Sequence, residues 1–248
     1  MLLLIRFMIR KMLSHNSSNI EFYNIVEQMN IVGPKSLIIS LITALFVSLV
    51  FTLQVAKEFL YFNAISLIGS VLTIAFIREL SPVLTSVIII GRVGSCFTAE
   101  IAAMRVTEQI DALYLLNTTP FSYLVFPRII ACVFMLPILN FLSFATSIAG
   151  STFICSILYN IDPMTFLMSA LSSVSFIDLM KSSLKTIIFG FIISLTSCSW
   201  GLSAQGGAKG VGKSTTSSVV TSLLLVFVID FILSYLMFNK LDSSIKTL

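Results

Sequence analysis

The run from Ser36 to Ala56 contains no charged residue. A helix rises about 1.5 Å per residue, so about 20 apolar residues cross a hydrocarbon layer about 30 Å thick. No water is available there to satisfy backbone N–H and C=O groups, so such a run folds as a helix that bonds internally. Further apolar runs follow at Phe62–Ile77, Leu80–Phe97, Leu124–Leu158, Leu184–Trp200 and Val219–Phe238. The chain is 57% hydrophobic and 10% charged, against about 45 to 50% and about 25% for soluble domains. These features predict an all-α integral membrane protein. Its 248 residues leave no room beside the spans for a soluble domain of ordinary size, so a single domain is expected.

Five transmembrane helices is the favoured count, with six as the rival. Phe62–Ile77 and Leu80–Phe97 are separated by Arg78, Glu79 and Pro82, and Arg92 interrupts the second run. Together they are too long for one straight crossing. A short re-entrant or interfacial piece followed by a full span is expected, with two short abutting spans as the alternative. The Arg78–Glu79 pair belongs near an interface or inside protein. Leu124–Leu158 holds Pro127, Pro137 and Gly150, and a kink or tilt fits it into one crossing; a tight hairpin is the other reading. Arg6, Arg10, Lys11 and Lys35 precede the first span, which places the N-terminus on the cytoplasmic side or its equivalent. Lys240 and Lys246 pull the other end toward the same side, against an odd count. In residues 1–35, Leu3 and Phe7 share one helical face and Arg6 and Arg10 another, the pattern of an interfacial helix.

The net charge of +4 is spread over segment ends, which argues against a nucleic-acid partner. Cys96, Cys132, Cys155 and Cys198 form no C-x-x-C pair and His15 is the single histidine. A metal site, a disulfide framework and a His-based catalytic triad are therefore all unexpected. Charges within a span cost about 2.5 to 3.5 kcal/mol each. Arg92, Glu100 and Asp230 are accordingly expected to face protein, headgroup or water, as interhelical pairs or as contacts along a lipid path.

GGAKGVGKST, near the C-terminal end, satisfies the phosphate-binding pattern G-x-x-x-x-G-K-[ST] from Gly207 to Ser214. That pattern works only when a buried strand delivers the loop to a helix N-terminus within a sheet-based domain. Trp200–Gln205 offers no strand, and Val226–Asp230 lies inside an apolar run of spanning length. The expectation is a tight structural loop in which Gly206, Gly207, Gly210 and Gly212 allow positive φ and close approach. Lys209 and Lys213 would hold that loop in water.

Between Gly91 and Arg128 the chain turns polar. At helical spacing Val106, Ile110 and Leu113 share one face, and Glu108, Asp111 and Leu115 another. This predicts a short amphipathic helix ended at Thr118–Thr119–Pro120, either a solvated connection or a docking element with an acidic face.

Three blocks carry a resemblance. RELSPVLTSVIIIGRVGSCFTAEIAAMRVTEQIDALYLL (Arg78–Leu116), YLVFPR (Tyr123–Arg128) and GGAKGVGKSTTSSVV (Gly206–Val220) are similar, in that order, to the signature blocks of the MlaE permease family of lipid-transporting ABC systems. The resemblance covers roughly residues 25 to 238. It implies a permease subunit that moves phospholipid or another glycerolipid between membranes. It further implies a homodimer with a lipid path near its axis, an MCE-domain lipid-binding partner, and a separate ATPase subunit that holds the ATP. The permease itself then takes no cofactor and is not an enzyme. Carried over by motif, the coupling helix lies near residues 105–117 around Thr107–Leu113, with Glu108, Gln109 and Asp111 facing the ATPase. Abundant Ile, Phe, Asn, Ser and Lys suggests an AT-rich gene and, with the compact chain, a plastid-encoded member in the inner envelope membrane. An AT-rich intracellular bacterium, hence a bacterial inner membrane, is the alternative. The rival functions are a self-contained channel or secondary transporter and a membrane assembly factor that recruits a soluble partner.

Overall fold

A computed structural model describes residues 19–116 and 119–238, and the expected interfacial helix at the start of the chain lies outside them. Among the described residues every regular element is helical. In chain order these are α1 (Asn19–Val32) and α2 (Pro34–Tyr61), then α3 (Ile65–Ala75), α4 (Ser81–Ile89), α5 (Ser95–Val106) and the short α6 (Gln109–Leu115). They are followed by α7 (Phe126–Tyr159), α8 (Pro163–Ser173), α9 (Phe176–Leu202) and α10 (Gly207–Phe238). Among the described residues four segments are long and apolar enough to cross a membrane: Tyr23–Tyr61, Ile65–Val106, Phe121–Tyr159 and Gly207–Met237. The expected span at 184–200 lies in α9, a helix of 27 residues whose buried residues include Ser182, Lys185, Ser194 and Ser197.

Three sequence expectations are corrected. Residues 65–106 form neither a re-entrant piece nor two abutting spans but one continuous helical segment of 42 residues. π-helical turns at Phe76–Leu80 and Ile90–Gly94 absorb the polar interruptions, each widening the helix so that the following side chains are re-aimed. The glycine stretch is not a loop: α10 begins at Gly207, so Gly210 and Gly212 lie within the helix. Within that stretch positive φ is confined to Gly206 (91°) and Gly207 (67°). The third concerns the coupling helix: one continuous element does not run through 105–117, since the helix breaks at Thr107–Glu108 and α6 starts at Gln109. α8 has no counterpart in the sequence reading, although Asp162–Pro163 carries its signal. The Asp162 carboxylate accepts the Thr165 N–H at 3.3 Å, and Pro163 fits the first helical position, where its missing N–H costs nothing.

The chain forms two compact units. The first comprises the described residues within Met1–Ser36, Ser86–Leu136 and Ile187–Val228. Its apolar core gathers Ile101, Ile110, Phe121, Leu124, Val125, Ile129, Leu195 and Cys198. Around that core backbones approach closely through glycine. A Cβ on Gly190 of α9 would stand 2.8 Å from the Cys132 carbonyl oxygen of α7, and one on Gly201 would stand 2.8 Å from Ile101 Cβ of α5. Hydroxyl groups link the same helices. Thr98 Oγ1 lies 3.0 Å from the Ser197 carbonyl oxygen and 2.8 Å from Ser218 Oγ, while Trp200 Nε1 donates to Thr221 Oγ1 at 2.9 Å.

The second unit comprises the described residues within Leu37–Thr85, Pro137–Thr186 and Ile229–Leu248. Along α2, Ser40, Ala44, Ser48, Thr52 and Ala56 recur at every fourth position and are buried. They meet Ser143, Ser147, Gly150 and Ser151 of α7 through Ser40–Ser143 (2.9 Å) and Thr52–Ser151 (2.8 Å) hydrogen bonds. Ile38, Ile42, Phe46 and Val50 are exposed on another face of α2. Small polar residues inward and large apolar residues outward invert the soluble pattern, as lipid-facing helices require. A satellite core of Ile68, Leu72, Phe76, Ile161 and Phe166 joins α3 to α8, with the Phe51 and Phe76 rings edge to face at 5.8 Å.

Glycine requirements are therefore site-specific. Gly190→Ala places a methyl against backbone and is expected to destabilise the protein by about 1 to 3 kcal/mol. Gly212→Ala meets nothing within 4 Å and should be neutral or gain up to about 1 kcal/mol of helix propensity. Thermal unfolding of the two variants in detergent, read by size-exclusion chromatography, checks the pair. Equal melting temperatures would contradict the close α7–α9 crossing.

Candidate functional site

The first unit carries a surface helix between two long helical segments. α5 ends at Val106, and Glu108 then adopts a left-handed conformation at φ 60°. Its carbonyl oxygen accepts the N–H groups of Asp111 and Ala112 at 3.1 Å each and so starts α6. Ile110, 2% exposed, anchors α6 in the apolar core, and Leu113 packs against the same cluster. Glu108, Gln109, Asp111, Tyr114, Leu115 and Leu116 are exposed. Asp111 is not an isolated acid, because Arg105 Nη1 lies 2.7 Å from its Oδ1; both side chains are substantially exposed, so the pair contributes little stability.

The glycine turn adjoins this helix. Arg105, Val106, Glu108 and Asp111 line a cleft of about 270 Å³ together with Ala204, Gln205, Gly206 and Gly207. A more apolar cleft of about 330 Å³ is lined by Ala103, Val106, Thr107, Ala208 and Val211. Gly210 is needed where it is: a Cβ there would fall on the Gln205 carbonyl oxygen.

Glu100, singled out from the sequence, accepts from Arg128 Nη2 at 2.7 Å and from Cys96 Sγ at 3.2 Å. Arg128 is buried, and its guanidinium carbon sits 5.2 Å from the centre of the Phe97 ring, within cation–π range. Arg92 lines a cavity of about 230 Å³ with Lys35, Cys96 and Glu100.

In the second unit Asp230 pairs with Lys185, whose Nζ reaches its Oδ1 at 3.0 Å. Lys185 is fully buried and also donates to Glu79 Oε2 at 3.0 Å and Ser234 Oγ at 2.7 Å. A further contact of Lys185 bears on how Pro82 is tolerated. Pro82 has no N–H to offer the Arg78 carbonyl four residues earlier, and Lys185 Nζ donates to that oxygen instead, at 2.9 Å. Arg78 in turn pairs with Asp178, Nε to Oδ1 at 3.1 Å, and Ser175 Oγ bonds the same carboxylate at 2.7 Å. Of the three intramembrane charges picked from sequence, Glu100 and Asp230 thus lie in separate ion pairs. Arg128 and Lys185, their partners, were not singled out. A lone Lys inside an apolar run was the available signal for Lys185, since burial of an unpaired ammonium is prohibitive.

These features define a class: a membrane protein, helical throughout its described residues, that presents an anchored amphipathic surface helix and holds Glu100 and Asp230 in ion pairs. Comparison with known proteins specifies it further. The Permease MlaE family model matches residues 25–236. A "probable ABC transporter permease protein ycf63" of Pyropia yezoensis is 55% identical over 97% of this chain and 92% of its own length. A probable ABC transporter permease protein of Synechocystis sp. is 56% identical over 87% of this chain and 82% of its own. The Arabidopsis thaliana protein named trigalactosyldiacylglycerol 1, chloroplastic, is 43% identical over 92% of this chain and 65% of its own. The chain belongs to the MlaE permease family, and it is the membrane-spanning permease subunit of a lipid-transporting ABC system.

Removing one member of a buried ion network leaves the others uncompensated, at about 3 to 5 kcal/mol. Lys185→Met leaves Glu79 and Asp230 without their shared cation and should sharply lower the yield of folded, monodisperse protein. Combining it with Asp230→Asn should recover part of that yield. Membrane yields and chromatographic profiles of the single and double variants test this, and additive losses would rule out the coupling.

Proposed function

We propose that two copies of this permease form a homodimer and that each docks a separate ATPase subunit through α6, with Glu108, Gln109 and Asp111 as contacts. The observation that carries this reading is the divided character of α6: Ile110 is locked into the core while Glu108, Gln109, Tyr114, Leu115 and Leu116 stand exposed. An apolar patch rimmed by acids suits a complementary groove. Force applied to such a helix passes through Ile110 to the cluster that also holds Ile101 of α5 and Ile129 of α7, so closure of the two ATPase subunits would shift the spans on either side. The glycerolipid cargo moves through the resulting change of state, and this chain makes and breaks no covalent bond. An MCE-domain lipid-binding protein completes the assembly. Arg92, Glu100 and Asp230 serve interhelical contact or line the lipid path, in a single permease domain spanning the chain. The relative named as chloroplastic and the match to ycf63 support a plastid envelope membrane, with a bacterial inner membrane as the alternative.

In this reading the permease binds no cofactor of its own, ATP being held by the partner. The phosphate-loop pattern is coincidental. Its residues 207–214 lie in the first turns of α10, where successive N–H groups from Val211 onward are used inside the helix instead of converging on phosphates.

Two variants test the proposal. Glu108→Lys places a cation where an acid is used and should reduce co-purification of the ATPase with tagged permease at least tenfold. Glu108→Asn, which tolerates the left-handed backbone, should give a smaller loss. Undiminished recovery of the ATPase with Glu108→Lys would refute the contact. Lys213→Ala should leave the ATPase activity of the assembled complex within about twofold; loss of ATP retention by that variant alone would mean the loop binds nucleotide.

A further inference from the structure

Two cations from distant parts of the chain border one space in the first unit. A cavity of about 230 Å³ is lined by Ile31, Lys35, Arg92, Val93, Cys96 and Glu100. Lys35 stands in the first turn of α2, which holds no acid, and its side chain is exposed. Arg92 belongs to the π-turn at Ile90–Gly94, an irregularity that in helices is frequently found at functional sites. Like charges that converge on one space repel each other unless an anion lies between them.

The acid on this wall is already engaged. Glu100 Oε2 is held by Arg128 Nη2 at 2.7 Å, and its Oε1 accepts from Cys96 Sγ at 3.2 Å. The Arg128–Glu100 pair is neutral as a unit. Among the described residues no carboxylate forms an ion pair with Lys35 or Arg92, so their two charges select an anion. The volume is several times the roughly 30 Å³ share of a single water, room for a phosphoryl group and the atoms it is esterified to. Ile31 and Val93 make part of the wall apolar, which an esterified glycerol can cover and a free ion cannot.

Depth agrees with a lipid. α2 runs 28 residues, about 42 Å at about 1.5 Å per residue. The hydrocarbon layer is about 30 Å thick, so with Tyr61 at one surface the Lys35 end stands among the headgroups of the other. Arg92 and Glu100 lie in the half of Ile65–Val106 that leads to α6, which places the cavity on the α6 side of the membrane.

We propose that Lys35 and Arg92 bind the phosphate of an anionic phospholipid, of the phosphatidylglycerol class, from the leaflet on the α6 side. The guanidinium offers paired N–H donors to two phosphate oxygens, and the ammonium brings a point charge to a third on a flexible stem. Such a site requires the membrane placement of the helices and is independent of how an ATPase docks and of which lipid is the cargo.

The test uses the purified full-length permease in detergent with a fluorescent phosphatidylglycerol as probe. Unlabelled phosphatidylglycerol, acyl-matched diacylglycerol and inorganic phosphate are the competitors. Phosphatidylglycerol should displace the probe at concentrations about tenfold or more below those needed of diacylglycerol. Lys35→Gln and Arg92→Gln should each weaken phosphatidylglycerol binding about tenfold and leave diacylglycerol binding unchanged. Lys35→Arg, which keeps the charge, should stay within about twofold of the parent. Lys35 is exposed, so its variants decide the matter even if Arg92→Gln fails to fold. Diacylglycerol competing equally, or phosphatidylglycerol affinity unchanged in monodisperse Lys35→Gln, would overturn the proposal. Displacement by millimolar inorganic phosphate would overturn the assignment to a lipid, and retention of the probe against phosphate would support it. Co-purification of the ATPase is read separately, so failure here is distinguishable from failure of the docking proposal.

Discussion

Hydrocarbon offers no hydrogen bonds, and the rest of the structure follows from that deficit. Backbone groups satisfy themselves within helices, so among the described residues there is no strand. Because lipid tails are as apolar as any side chain, burying leucine yields no advantage inside the bundle, and the helices associate through close contact and hydroxyl bonds. The α2–α7 seam obeys this rule. Its members are Ser, Ala, Thr and Gly, with hydroxyl–hydroxyl bonds across it at Ser40–Ser143 and Thr52–Ser151, while Ile and Phe are turned outward.

The same deficit makes Lys185 a fixed point of the second unit. A fully buried ammonium is tolerable only if each of its protons finds an oxygen, and Glu79, Asp230, Ser234 and the Arg78 carbonyl supply them. The network also ties a backbone irregularity to a side-chain charge. Pro82 beside the π-turn at Phe76–Leu80 offers no N–H, and the lysine donates to the Arg78 carbonyl. What looks in the sequence like a break between two segments is therefore the place where the π-turn at Phe76–Leu80, α9 and α10 are joined through one cation.

In the first unit the logic shifts toward water. α6 is too short to persist alone, since isolated helices of this length are marginal. Its position depends on one buried residue, Ile110, and on a turn that forces Glu108 into a left-handed conformation. The glycine turn at Gly206–Gly207 reaches the same cleft, so two sequence blocks far apart in the chain form one surface beside α6. This shared location gives the second block a role in shaping that surface and requires no nucleotide chemistry of it.

Much of this was legible from residues. Hydropathy runs foretold the helical membrane class, the single crossing by α7 through Pro137 and the amphipathic division of α6, because each depends on local spacing and on a solvent known in advance. The ordered blocks carried the family. Spacing was silent on the π-turns, since a widened turn and a loop place the same charges in the same apolar run and only tertiary partners separate them. It was silent as well on α8, where weak apolar patterning hid a helix despite the Asp162–Pro163 cap. The partners of Glu100 and Asp230 were out of reach for a related reason: Arg128 and Lys185 are distant in sequence, and nothing local selects them. The sequence by itself thus determined which segments enter the bilayer, because transfer into hydrocarbon is a property of each segment. The tertiary structure alone decided which charges meet, because pairing depends on the packing of helices that the chain order leaves unspecified.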